Sequence, residues 1–151
     1  MIKTPSDTEK YDILTWTNFD HAVEQISNNY VDSNINGIYG VPRGGLPLAV
    51  AISHKLNIPV VTDLKFVSEM KKLGHNVLWV DDIVDTKKTL IESKKYFTHF
   101  TSWVSRYAVD DLYSVHISNK WVIMPWEVLD NAEDDKNNYI RSRIESGYLD
   151  E

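Results

Sequence analysis

The sequence contains no cysteine among its 151 residues, which excludes disulfide bonds and thiolate chemistry. No apolar run approaches the roughly 20 residues that a membrane-spanning helix requires, and the polar N-terminus lacks a signal-peptide pattern. The five histidines lack the paired spacing of metal ligands, and no serine lies in a nucleophile-elbow context. We therefore expect a cytoplasmic protein with no membrane contact and with chemistry carried by other side chains.

A broad basic surface is also missing, and the acidic charge is concentrated at one end. The net charge is −6, and residues 127–151 hold −5 of it, with eight acidic and three basic side chains. The remaining chain is nearly neutral, so we expect no nucleic-acid partner. The length and the 42% hydrophobic content are typical of a single globular domain.

Short apolar runs alternate with helical patterns along the chain. This alternation predicts an α/β fold with a mostly parallel twisted sheet and helices on both faces. Residues 65–75 are expected to form a charged connection that Gly74 closes, and residues 130–151 a polar helix with a loose end. The expected strands are 11–16, 38–41, 60–62, 77–80 and 100–105, and the expected helices are 17–30, 46–56 and 90–97.

The most informative segment runs from Asn76 to Leu90. It begins as a buried strand and then places three carboxylates, Asp81, Asp82 and Asp85, where that strand should end. A turn rich in threonine and lysine follows at 86–89. In an open α/β sheet the carboxyl ends of the strands line the ligand crevice, and amides at the start of the next helix can bind a phosphate. Carboxylates for a diol or a metal beside a phosphate site indicate a phosphorylated sugar as the ligand.

A second turn, Gly40–Gly45, follows another strand and opens a helix. Gly44 and Gly45 allow an anion to approach the backbone closely, and Arg43 adds a planar set of donors suited to phosphate oxygens. The turn is neither a Walker loop nor a dinucleotide-binding glycine motif. Taken alone, it is equally compatible with a tight strand-to-helix turn that carries an exposed arginine.

Together these segments resemble the type I phosphoribosyltransferases, which use phosphoribosyl pyrophosphate (PRPP). The family's PRPP motif is similar to VLWVDDIVDTKKT, and its pyrophosphate loop with the following helix is similar to GIYGVPRGGLPLAVAISHKL, residues 37–56. The purine-binding hood of the xanthine/guanine and hypoxanthine branch is similar to WVIMPWE, residues 121–127. The resemblance covers residues 11–127 and implies one domain, 1–151. Within it the core spans about 17–110, a hood combines about 111–127 with the N-terminal segment, and residues 128–151 form an acidic C-terminal segment.

The resemblance also implies roles for individual residues. Asp85 removes the purine N7 proton, whereas Asp81 and Asp82 hold the ribose hydroxyls directly or through Mg²⁺, and Glu127 reaches a metal-bound water. Arg106 is a candidate for the family's lysine that recognises the 6-oxo group, Trp121 stacks on the purine, and Val122 offers its carbonyl to the base. The 5-phosphate is expected at Asp85, Thr86, Lys87, Lys88 and Thr89, and the pyrophosphate at Arg43 and the amides of Gly44 and Gly45.

Each role has a structural alternative. Asp81 and Asp82 also fit a solvated strand end, Asp85 a helix cap, Arg106 an exposed strand end and Trp121 a core aromatic. The chain also departs from the family at Lys87, where glycine is usual. If this position requires a positive φ, a lysine there costs ~1–2 kcal/mol.

The resemblance implies transfer of the 5-phosphoribosyl group of PRPP to xanthine, guanine or hypoxanthine by a homo-oligomer, a dimer or a tetramer. Two alternatives stay open. One is a PRPP- or nucleotide-binding regulatory module of the same fold with little turnover, and the other is a phosphoribosyltransferase with a different acceptor. The 65–75 link, shorter than the family's mobile loop, favours the first of these.

Overall fold

The computed structural model describes residues 10–128, 135–138 and 140–141, and these form two compact units. The larger unit spans Thr17–Ile117, and the smaller unit comprises the described residues on either side of it. The helices are α1 (Trp16–Tyr30), α2 (Gly45–Leu56), α3 (Leu64–Lys72) and α4 (Lys88–Ser93). The strands are β1 (Tyr11–Ile13), β2 (Gly37–Gly40), β3 (Val77–Val84), β4 (His99–Ser105), β5 (Leu112–Ile117) and β6 (Trp121–Ile123).

The larger unit is built on a four-stranded sheet in the order β2-β3-β4-β5, and all three strand pairs are parallel. The first half of β3, Val77–Val80, is buried and wholly apolar, as expected of a central strand covered on both faces. The predicted α/β class with a mostly parallel sheet is therefore confirmed.

Helices cover both faces of this sheet because alternate side chains of each strand point to opposite sides. On one face, α1 packs Phe19 against Trp103 with the ring centroids 5.6 Å apart. On the other face, Val67 of α3 and Leu90 of α4 join a buried cluster that includes Trp79 and Phe100. Aromatic side chains thus hold both layers onto the sheet.

The smaller unit contains a two-stranded parallel sheet in which β1 pairs with β6. Its register places Tyr11 opposite Trp121, and the Leu14 N–H extends the ladder by donating to the Ile123 carbonyl at 2.9 Å. The described residues 135–138 and 140–141 are helical, and the rest of the C-terminal helix expected at 130–151 lies outside the described residues. No helix in the described part of the chain is long and apolar enough to span a membrane.

The predicted charged connection at 65–75 is wrong, because most of it forms helix α3. The Asp63 carboxylate caps this helix by accepting a hydrogen bond from the Lys65 N–H at 2.9 Å. Val67 is the one residue of the helix that is buried. A single buried position gives little helical periodicity, and the surrounding charges therefore concealed the helix in the sequence.

Two further strands differ from the expectation. The strand predicted at 60–62 is reduced to one bridge, between Ile38 and Val60. Strand β5, which the resemblance assigned to the hood, pairs with β4 in the larger sheet. Its side chains are mostly half-buried, as expected at the edge of a sheet.

Candidate active site

The two predicted phosphate-binding turns extend from neighbouring strands of the larger sheet. Gly40 at the end of β2 pairs in register with Val80 of β3, and the Val41 N–H donates to the Val80 carbonyl at 2.8 Å. The next turn includes a cis peptide bond between Pro42 and Arg43. The Gly40–Gly45 turn is thereby attached to β3 one residue before its carboxylate pair.

Gly44 and Gly45 approach β3 so closely that a side chain would not fit. A Cβ atom on Gly44 would lie 2.1 Å from Oδ2 of Asp82. A Cβ atom on Gly45 would lie 2.5 Å from the Val80 carbonyl oxygen and 3.1 Å from the Asp81 Cα. The two glycines are therefore required for the turn to pack against the carboxylates, a role of glycine that depends on its missing side chain.

Fewer backbone N–H groups of this turn are available to a ligand than the sequence indicated. The Gly45 N–H already donates to the Val41 carbonyl at 2.8 Å, and the Leu46 N–H donates to the Arg43 carbonyl at 3.2 Å. The expectation that the Gly45 amide is available for pyrophosphate is therefore wrong. Gly45 allows the close approach of the turn to β3, and Arg43 is exposed in the same turn.

Asp81 and Asp82 lie within β3, since the strand continues to Val84. The two carboxyl groups interact with each other, and each also accepts a hydrogen bond from the backbone. Asp81 Oδ1 accepts from the Asp82 N–H, and Asp82 Oδ1 accepts from the Ile83 N–H, both at 2.8 Å. Among the residues that the structure describes, neither carboxylate forms a salt bridge.

This arrangement concentrates negative charge at the end of β3. Burial raises the pKa of Asp81 well above its usual range, and the charge of Asp82 raises it further. Asp81 in turn contributes, after burial, to the raised pKa of Tyr39. Two carboxylates that have no cationic partner among the described residues form a site suited to a cation or to hydroxyl donors.

We expect Asp81→Asn to increase the free energy of unfolding at pH 7 by an amount on the order of 1 kcal/mol, because it removes a poorly solvated charge. The folded-state pKa of Asp81 is raised, so its stabilising contribution is complete below the unfolded value and is lost as the pH rises through the folded value. The difference between variant and wild type should therefore shrink toward pH 4. Urea unfolding at both pH values measures it, and a variant less stable than wild type at pH 7 would contradict it.

Asp85 and Arg106 form an ion pair at the ends of adjacent strands. The Arg106 Nε lies 3.4 Å from the Asp85 Oδ1, and the two side chains are only 17% and 18% exposed. The pairing follows from the register, because Val84 and Ser105 are opposite each other and these residues come next. The interpretation of Arg106 as an exposed strand-end arginine is therefore wrong.

Lys87 adopts the backbone conformation that favours glycine. Its φ is 65° and its ψ is −6°, and it is the N-cap residue of α4 without a side-chain capping bond. Position 87 therefore has the positive φ at which a lysine is expected to be less favourable than glycine. The turn at 86–89 leads into a helix of six residues, Lys88–Ser93, which is shorter and earlier than the predicted 90–97.

The left-handed backbone of Lys87 makes Lys87→Gly and Lys87→Ala an informative pair. Both variants lose the ammonium, but only alanine retains a Cβ that disfavours positive φ. We expect the glycine variant to be more stable than the alanine variant by about 1 kcal/mol, the reverse of the usual order in helices. Chemical denaturation of the two variants measures the difference, and an alanine variant of equal or greater stability would contradict the prediction.

The predicted hood residues lie in the smaller unit. Trp121 is half-buried and Val122 is buried in β6. The Glu127 carboxylate accepts a hydrogen bond from the Met124 N–H at 2.8 Å, so it closes the turn after β6. No cluster of three or more metal-ligating side chains occurs in the described part of the chain.

The chain is similar in sequence to known phosphoribosyltransferases. No family model matches the chain. Two curated xanthine-guanine phosphoribosyltransferases, from Idiomarina loihiensis and Chromohalobacter salexigens, are each 25% identical to it. Both matches cover 76% of this chain, and they cover 86% and 83% of the two relatives.

A solved structure agrees with these sequence matches. The purine phosphoribosyltransferase from Pyrococcus horikoshii Ot3 superposes with a TM-score of 0.65 at 26% identity, covering 80% of this chain and 96% of that protein. Sequence and fold thus point to the same group of proteins. In both sequence and fold, the chain is similar to type I phosphoribosyltransferases of the purine branch.

Proposed function

We propose that this protein transfers the 5-phosphoribosyl group of PRPP to a 6-oxopurine base, which gives a nucleoside monophosphate and pyrophosphate. The relatives support a purine phosphoribosyltransferase at the level of the family. The proposal goes further than the family in three respects: the acceptor is a 6-oxopurine (xanthine, guanine or hypoxanthine), the donor is PRPP, and individual residues have the roles given below.

One observation carries the proposal, namely the contact between the Arg43–Gly45 turn and the carboxylates of β3. A Cβ on Gly44 would lie 2.1 Å from the Asp82 carboxylate, so the turn assigned to pyrophosphate adjoins a residue assigned to ribose. PRPP carries its diphosphate on the ribose ring, so its two recognition elements have to be neighbours. In this site Arg43 binds the departing diphosphate and stabilises its charge.

The carboxylates of Asp81 and Asp82 fit a Mg²⁺ ion, the metal on which phosphoribosyltransferases generally depend. Both offer oxygen ligands, and neither is neutralised by a salt bridge within the described residues. Magnesium usually takes one or two protein carboxylates and completes its coordination with substrate oxygens and water. The bound ion would neutralise charge on the diphosphate. Asp81 and Asp82 also orient the ribose hydroxyls, directly or through that ion.

The Asp85–Arg106 pair is suited to one edge of a 6-oxopurine. That edge carries the O6 acceptor beside the N7 position, which bears a proton in one tautomer. Arg106 donates to O6, and the Asp85 carboxylate accepts the N7 proton as the glycosidic bond forms. An exocyclic amino group in place of O6 would face the guanidinium, donor against donor, so the pair disfavours adenine.

The remaining assignments are proposals of the same kind. Trp121 stacks on the purine and Val122 offers its carbonyl to the base edge. The turn at 86–89 binds the 5-phosphate, because the first amides of a helix lack intrahelical partners. We also propose that the protein works as a homo-oligomer.

Two observations favour a second candidate, a PRPP-binding module with little turnover. Lys87 has a strained backbone at the phosphate turn, and most of the 65–75 link before β3 is helix α3 instead of a long mobile loop. Mobile loops exclude water from reactive sites, so their replacement by an ordered helix is compatible with a slow or inactive enzyme.

Turnover assays distinguish the candidates. The protein is incubated with PRPP, Mg²⁺ and one base at a time, namely xanthine, guanine, hypoxanthine, adenine and uracil, and pyrophosphate release is followed. Release with the three 6-oxopurines and little with adenine or uracil supports the proposal. PRPP binding without release supports the module. Release with adenine or uracil alone supports a different acceptor and contradicts the roles of Asp85 and Arg106.

A further inference from the structure

Strand β4 ends at a serine that is completely buried. Ser105 is 0% exposed, although its partners in the two adjoining strands, Val84 and Ile117, are apolar. A hydroxyl in such surroundings is costly unless it forms a hydrogen bond. The Ser105 Oγ–H forms one by donating to the Tyr107 carbonyl at 2.9 Å. This local side-chain bond spans the residue between them, Arg106.

Hydrogen bonds fix the backbone on both sides of the Arg106 Cα. The Arg106 N–H donates to the Val84 carbonyl at 3.1 Å, one residue before Asp85. The carbonyl of the next residue, Tyr107, is the one that the serine hydroxyl holds. Because β4 ends at Ser105, this second bond is supplied by a side chain and not by the β-ladder. The conformation of the turn at Arg106 therefore depends on that hydroxyl.

The turn matters because the guanidinium that it carries acts through its position. The Arg106 Nε lies 3.4 Å from the Asp85 Oδ1, and both side chains are mostly buried. A guanidinium presents its donors in a fixed planar arrangement, so its recognition of a ligand acceptor depends on where and how it is oriented. A displacement of about 1 Å at a recognition site can cost as much as 100-fold. A change in the turn would move these donors relative to the base.

We propose that Ser105 is a positioning residue for recognition of the acceptor base. Its hydroxyl holds the Tyr107 carbonyl and thereby orients the turn from which the Arg106 guanidinium reaches the 6-oxo group of the purine. The inference rests on the proposed function, since it assumes that Arg106 donates to O6. It goes further by assigning part of the discrimination between 6-oxo and 6-amino bases to a buried hydroxyl that does not itself contact the base.

Binding of two nucleotides measures this discrimination without requiring turnover. Inosine 5′-monophosphate carries a 6-oxo group and adenosine 5′-monophosphate a 6-amino group, and calorimetric titration with Mg²⁺ gives both dissociation constants. Wild-type protein should bind the inosine nucleotide more tightly. Ser105→Ala should weaken binding of the inosine nucleotide about tenfold, as for loss of one charged hydrogen bond. Its affinities for the adenosine nucleotide and for PRPP should not change.

Thr101→Val is the matched control for Ser105→Ala. Thr101 is also a completely buried residue of β4, and its Oγ1–H donates to another tyrosine carbonyl, that of Tyr113, at 2.7 Å. The valine variant loses the same kind of bond, but earlier in the strand and not across Arg106. It should keep the wild-type preference for the inosine nucleotide. Thermal unfolding shows that both variants are folded, as expected for substitutions that add no volume to speak of.

A double variant tests whether Ser105 acts through Arg106. Arg106→Met keeps the length of the side chain without its donors and should abolish the preference, and adding Ser105→Ala should then change nothing. An unchanged preference in Ser105→Ala, equal losses for the inosine nucleotide and PRPP, the same loss in Thr101→Val, or additive effects in the double variant would each overturn the inference. A wild-type protein without a preference for the inosine nucleotide would instead reject the proposed function.

Discussion

Replacement of Asp85 by asparagine should lower kcat by about 100-fold or more, the usual contribution of a positioned general base, and leave PRPP affinity nearly unchanged. Asparagine has the same shape and still accepts a hydrogen bond from the Arg106 Nε, but its amide cannot take the purine N7 proton. Initial rates of pyrophosphate release measure kcat, and titration with PRPP measures affinity.

Asp110→Asn is the control for Asp85→Asn, because Asp110 is an exposed carboxylate in the loop between β4 and β5. It should keep wild-type turnover. Asp85→Asn also removes the ion pair between Asp85 and the half-buried guanidinium of Arg106, so thermal unfolding has to show that the variant is folded at the assay temperature. Wild-type turnover in a folded Asp85→Asn variant would remove Asp85 from the mechanism.

Gly44→Ala should weaken PRPP binding at least tenfold and change stability much less. The new methyl group would occupy the position of the Asp82 carboxylate, which is 2.1 Å from the ideal Cβ. Asp82 is a side chain and can rotate away, so the fold yields locally while the ribose and metal site is lost. Each charged hydrogen bond lost to the ligand corresponds to roughly tenfold or more in affinity. Calorimetric titration with PRPP and Mg²⁺ measures the affinity, and urea unfolding measures the stability.

Gly45→Ala is the matched variant for Gly44→Ala, with the same added methyl group one residue further along. Its Cβ would collide with the Val80 carbonyl oxygen and the Asp81 Cα, which belong to the central strand. Backbone atoms of β3 cannot rotate aside, so this variant should lose about 1–3 kcal/mol of unfolding free energy. Equal effects of the two substitutions on both stability and affinity would contradict the arrangement of the turn.

Much of the sheet and of the site was predictable because a few residues carry strong local signals. The run Val77–Val80 has the continuous apolar character of a central parallel strand, and the structure buries all four side chains. Gly44 and Gly45 were identified as positions of close approach, although the sequence assigned that approach to an anion and the structure shows β3 there. The positive φ of Lys87 was inferred only from the glycine that the family has at this position.

The remaining features depend on contacts between strands, which a single sequence does not reveal. The pairing of Asp85 with Arg106 requires the register that aligns Val84 with Ser105, and this register is set by packing of the whole sheet. Tyr107 follows Arg106 directly, but nothing in the sequence indicates that its ring lies beside Lys87. Helix α3 was missed because one buried residue, Val67, gives no helical period.

A crystal structure of the protein with PRPP and Mg²⁺ tests the central claim most directly. We predict one ligand spanning the larger unit's carboxyl edge, with its 5-phosphate at the turn 86–89, its ribose hydroxyls near Asp81 and Asp82, and its diphosphate at Arg43 and Gly44. Density for the sugar diphosphate elsewhere, or for a ligand that contacts only one of the two turns, would contradict the account.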